Sequence, residues 1–150
     1  MRKPSSSSWE TKLGELLSRP NVGDLYEGLR DLLAELINAL SPVAVLVTGS
    51  LARGEFVRGM SDIDLFILVK RAPGKQERFF LRNVRGVDVE IVVYGLGEAI
   101  KSAEEGNPFV LDALRNGVVI YGHLTPELEA LSGSARSCLL YTSPSPRDRG

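Results

Sequence analysis

The sequence predicts an α/β domain, a small mixed β-sheet with helices packed on one face. Three observations carry that reading. Leu25, Leu29, Leu32, Leu33, Leu36, Ile37 and Leu40 recur at spacings of three and four, the period of an amphipathic helix. Apolar runs rich in β-branched residues follow at 43–48 and 62–69, as buried strands do. A third run, 87–94, sets Asp88 and Glu90 between Val87, Val89 and Ile91, so acids and aliphatics take opposite faces of a strand. Helix, three strands, helices and one edge strand is an α/β order, and 150 residues make one domain.

The elements follow in order. Residues 1–8, with four consecutive serines, are expected to be disordered, and the domain itself to span 9–131. Trp9, Leu13, Leu16 and Leu17 share one face of a short helix that ends before Pro20. Asp24 with Glu27 three residues on reads as a capping-box start to the leucine helix, and Ser41-Pro42 as its stop. After the strand at 43–48, Gly49-Ser50 turns the chain and Leu51 to Glu55 make a helical turn. Residues 62–69 form the second strand. Lys70, Arg71, Lys75, Arg78 and Arg82 surround Pro73-Gly74 in a basic connection holding a helical turn, solvated rather than a binding surface. The third strand leads to a helix over 97–105 closed by Gly106. Asn107-Pro108 supplies an N-cap and a first-turn proline for the next helix, which ends at Gly117. Val118 to Tyr121 is the edge strand, and Thr125-Pro126 opens a final helix.

Composition narrows the class. A 43% hydrophobic and 25% charged chain is an ordinary globule. A net charge of −1 argues against bulk-charge binding to nucleic acid and leaves a local patch open. No apolar run approaches the ~20 residues of a membrane span, and no apolar segment follows Arg2 and Lys3, so the expected location is the cytoplasm. Residues 138–148 have no amphipathic period and resemble a translated sequencing adapter. The expectation is a disordered, non-native tail over 132–150, with Cys138 foreign and the natural C-terminus missing.

The chemistry concentrates in Gly49-Ser50-Leu51-Ala52-Arg53-Gly54 and Ser61-Asp62-Ile63-Asp64-Leu65. Asp62 and Asp64 are two residues apart, so an extended backbone aims both at one face. Two carboxylates ~5 Å apart repel by ~3 kcal/mol at an effective dielectric of ~20, which calls for a cation. With no Cys or His nearby, hard divalent ions, Mg2+ above all, suit such a donor set. The glycine turn offers N–H groups and a hydroxyl to phosphate oxygens. The bland alternatives are a solvated strand start for Asp62 and Asp64, a capping role for Ser50, and an Arg53 that pairs with Glu55 or an acid of the site. His123 reads as a surface residue, and Trp9 and the leucine stripe as core or an oligomer seam.

Gly49-Ser50, eleven residues, Asp62-x-Asp64 and a later acid between valines resemble the DNA polymerase β-like nucleotidyltransferase superfamily over about residues 25–123. The wording Gly-Ser-Leu-Ala-Arg-Gly-Glu with Ser-Asp-Ile-Asp-Leu is similar to its minimal nucleotidyltransferases, with a spacer one residue longer around Val57-Arg58-Gly59. The resemblance implies an enzyme that moves a nucleoside monophosphate, AMP from ATP or another nucleoside triphosphate, onto a hydroxyl. By the same resemblance Gly49 and Ser50 meet the triphosphate, with Arg53 as a further phosphate donor. Asp62, Asp64 and a third acid would hold two Mg2+ ions. Asp88 and Glu90 both fit the third position; Asp88 is favoured because Asp is the commoner residue there, leaving Glu90 as base or auxiliary ligand. The implied acceptor is a tyrosine of a HEPN-type toxin, which makes the protein an antitoxin. Open beside it are a small-molecule or tRNA nucleotidyltransferase, and a non-catalytic nucleotide-binding protein that masks a toxin.

Overall fold

The computed structural model describes residues 4–18, 22–71, 73–74 and 78–132, with the side chains of 4–8 left aside. The elements are α1 (Pro4–Leu16), a 3-10 turn (Gly23–Leu25), α2 (Tyr26–Leu40), β1 (Ala44–Thr48), α3 (Gly49–Arg53), β2 (Ile63–Val69), β3 (Phe79–Val84), β4 (Val87–Gly95), α4 (Leu96–Glu104), α5 (Pro108–Asn116) and β5 (Val118–Gly122). A last helix covers 126–132. The five strands lie in the order β3-β4-β2-β1-β5. β2 and β4 are parallel, and every other neighbouring pair is antiparallel.

The mixed sheet is the expected one, but its helices divide between two faces instead of lining one. Ile63, Leu65, Ile67 and Val69 of β2 join Val89, Ile91 and Val93 of β4 in a core with Leu29, Leu32, Leu33 and Leu36 of α2 and Trp9 and Leu13 of α1. The alternate residues Phe66 and Leu68 pack instead with Ala99 and Ala103 of α4, Val110, Ala113 and Leu114 of α5, and Leu128. Two-sided cover explains why all five residues of β1 are buried.

β3 was hidden in the basic connection. Where a helical turn was expected, Phe79–Val84 pairs with β4 through a two-residue hairpin. Arg85 (φ 48°) and Gly86 (φ 86°) are both left-handed, the backbone a type I′ turn requires. β3 completes the crossover that makes β2 and β4 parallel.

Local starts and stops follow chemistry. Asn107 Oδ1 accepts the N–H groups of Phe109 (2.9 Å) and Val110 (3.3 Å), the cap expected ahead of Pro108. Glu98 accepts the Gly95 N–H at 3.1 Å and fixes the start of α4. The expected Asp24 cap differs: α2 begins without a side-chain cap, and Asp24 lies in the preceding 3-10 turn. There it takes two hydrogen bonds from Arg58 (2.9 and 3.1 Å) and one from Arg85 (3.2 Å). These hold its carboxyl down at about 2, the Arg58 hydrogen bond most. α1 starts at Pro4, inside the stretch expected to lack structure, and the suspected adapter lies outside the described residues.

Candidate active site

The site lies where helix cover on one face of the sheet stops. Phe66 and Leu68 are sealed under α4 and α5, whereas Asp64, next on the same face of β2, is only half-buried. Its neighbours are fixed by register. Asp64 stands opposite Glu90 on β4 and opposite Thr48 at the end of β1. Thr48 Oγ1 donates a 3.5 Å hydrogen bond to the Asp64 carbonyl.

β1 gives way to α3 at Gly49, and this glycine is required twice over. Its φ of +69° is a backbone that L side chains rarely adopt. A Cβ there would also collide with Asp64 Oδ2. The bend therefore presses directly on the carboxylate. The first N–H groups of a helix lack intrahelical acceptors and suit an anion. α3 closes in a tight turn, with the Glu55 N–H donating to the Ser50 carbonyl at 2.8 Å and Gly54 left-handed at φ 78°. Ser50 sits within the helix, while Thr48 holds the cap position and forms no side-chain cap bond.

The acids interact as a group. Burial, then the charges of Glu90 and Asp62, push the Asp64 carboxyl up to about 6, with Arg53 opposing. Glu90 is also raised, first by burial, then by the charge of Asp62, a hydrogen bond with it, and the charge of Asp88. Asp62, Asp64 and Glu90 thus form the nucleus. Asp88 stands one pair further out, exposed, and takes a 3.0 Å hydrogen bond from Asn83 Nδ2. Arg53 pairs with Glu55 (3.1 Å) and Asp112 (3.9 Å), so one of the bland readings is realised while its charge still reaches Asp64.

Among the described residues no three His, Cys, Asp or Glu side chains converge on one point as a metal site. The donor set nevertheless fits a hard divalent cation. It is all carboxylate; burial and the charges of Glu90 and Asp62 raise Asp64, and burial and the charge of Asp62 raise Glu90.

The sequence of this region decides its kinship. Residues 28–115, more than half of the chain, match the nucleotidyltransferase domain family, and the match contains the bend, Asp62 and Asp64, and both acids of β4. The chain belongs to that family. No curated protein matches it. The five-stranded mixed sheet is consistent with the nucleotidyltransferase fold.

Other parts of this nucleotidyltransferase domain were not legible beforehand. Asp112 reaches Arg53 from α5, and Asn83 reaches Asp88 from the unrecognised strand. Two cations of the basic segment are engaged within the fold. Arg78 forms a two-point pair with Glu98 (2.6 and 3.1 Å) and lies 5.3 Å from the Tyr94 ring centre, while Arg85 is held by Asp24. No described helix is long and apolar enough to cross a membrane.

Proposed function

We propose that the domain transfers AMP from ATP to a hydroxyl in a Mg2+-dependent reaction, using Asp62, Asp64 and Glu90 as its carboxylates. The supporting observation is the half-buried Asp64, side by side with Glu90 and pressed against the Gly49 bend. Glu90 replaces Asp88 as our choice for the third acid, because its register adjoins Asp64 and its side chain bonds Asp62. Divalent ions held by these three would supply charge stabilisation at the α-phosphate and the leaving pyrophosphate.

The chain's own groups do the rest. The N–H groups at Gly49 and Ser50 and the Ser50 hydroxyl orient the triphosphate, with Arg53 as a donor at its edge. The acceptor oxygen bonds the α-phosphorus, the bond to the bridging oxygen breaks, and pyrophosphate leaves. The acceptor proton passes to the Glu90 carboxylate, which stands beside Asp64 in register. The motif wording and the small domain support a tyrosine of a HEPN-type toxin as acceptor. The test is to incubate the protein with Mg2+, ATP labelled at the α-phosphate and a HEPN-type protein. Label on the acceptor that Asp64→Asn abolishes supports the reading. Toxin neutralisation that survives Asp64→Asn without label would replace it with masking.

A further inference from the structure

One row of side chains crosses the sheet through the site. Thr48 on β1 faces Asp64 on β2, Asp64 faces Glu90 on β4, and Glu90 faces Leu81 on β3. The next row runs Leu46, Phe66, Val92 and Phe79. The Gly49 bend therefore lies on the β1 side of the acids, and Leu81 and Phe79 lie on the β3 side of the same face. Strands are ~4.8 Å apart, so Leu81 stands about two strand spacings from Asp64, next beyond Glu90.

Leu81 is 56% exposed and Phe79 53%. The opposite face of the same strand buries Val84 and half-buries Phe80 against the core, so packing does not call for large apolar residues on this one. Edge strands usually carry charge on their open face, and an apolar pair there marks a contact surface. β3 is such an edge. The cations of the strand and its flanks are engaged elsewhere: Arg78 with Glu98, Arg85 with Asp24, and Arg82 near the Phe80 ring at 5.7 Å.

We infer that Phe79 and Leu81 are the acceptor platform, and that the acceptor is a neutral alcohol or phenol with an apolar body that enters across β3. The inference rests on the proposed transfer reaction. Displacement at phosphorus is in line, so the nucleophile must come from the side opposite the leaving pyrophosphate. With the triphosphate at the Gly49 bend, that side is β3. The acceptor oxygen loses its proton to Glu90 and bonds the α-phosphorus, taking the adenylyl group as the bond to pyrophosphate breaks. Its apolar body rests on Leu81 and Phe79.

The test uses the full chain with Mg2+, ATP labelled at the α-phosphate, and two probes, 2-phenylethanol and glycerol. The expected result is a KM for 2-phenylethanol about tenfold or more below that for glycerol. The double variant F79S with L81S should raise the 2-phenylethanol KM about tenfold while kcat moves less than about threefold, and L81M should keep the wild-type KM. Equal KM values for the two alcohols, or a KM unmoved in the double variant, would overturn the inference. So would binding of Mg2+ and ATP without label on either alcohol, or a dimer in light scattering that the double variant dissolves. Failure of the wild type to bind Mg2+ and ATP at all would instead remove the transfer reaction itself.

Discussion

The two faces of β2 are built to different ends from alternate residues of one seven-residue strand. On one, Ile63, Leu65, Ile67 and Val69 are all buried under α1 and α2. On the other, Phe66 and Leu68 are buried under α4 and α5, and the row ends in Asp64, where the cover stops. The closed face draws stability from apolar area. The open one holds acids that oppose one another, a cost an active site can bear only because its reverse side is sealed. A cavity of about 610 Å³ at the far end of the strand, between Leu40, Val69, Lys70 and Phe80, lies away from the acids.

The comparison breaks most sharply at Asp64. Asp64→Asn should cut label transfer by about 10^3-fold, about 4 kcal/mol of barrier, with the fold intact. Gly49→Ala should approach that loss by another route, since its methyl enters the space of Asp64 Oδ2 on a left-handed backbone. Single-turnover transfer checks both. A Gly49→Ala protein with wild-type transfer would detach the bend from the chemistry. On the sealed face the effect should invert. Ile67→Ala should cost about 3 kcal/mol in urea unfolding, while transfer by the folded fraction changes less than about threefold.

What could be read in advance followed the same division. The period of the leucines in α2, the alternation in β4, and the Asn107-Pro108 cap are local signals, and each element formed where its pattern stood. The bend and the acid pair at the start of β2 are also local, because Gly49, Asp62 and Asp64 sit within sixteen residues of chain. What could not be read was pairing. Arg78 precedes β3 and Arg82 lies within it beside the aromatics, and charge masked a strand whose clue was Arg85-Gly86 between apolar runs. Without that hairpin neither Asn83 beside Asp88 nor Leu81 beside Glu90 is visible. The choice between Asp88 and Glu90 is likewise a matter of register, since alternation puts both on one face and only the pairing of β4 with β2 sets Glu90 next to Asp64. The two-sided helix cover depends on which way the chain crosses after β4, and no residue encodes that by itself.

That choice gives a smaller contrast. Glu90→Gln should lower transfer by about 30-fold, whereas Asp88→Asn, exposed and already bonded by Asn83, should cost less than about threefold. Equal losses would return Asp88 to the site.

The smallest effect concerns stability and has a definite sign. Asp64 titrates near 6 in the fold, pushed up by burial and by Glu90 and Asp62, against 3.8 unfolded. Below about pH 4 both states are protonated and the group contributes nothing. Between about 4 and 6 the unfolded state gives up its proton first, so stability falls as pH rises, and above about 6 the full penalty is in place. A shift of this size corresponds to about 3 kcal/mol if the site were dry; half-burial and solvent screening reduce it to about 1. In EDTA, Asp64→Asn should therefore be more stable than wild type by about 1 kcal/mol at pH 7.5, and the advantage should vanish by about pH 4. Urea midpoints across that range check it. An advantage that stayed flat with pH would trace to packing, and the open face would then owe nothing to charge.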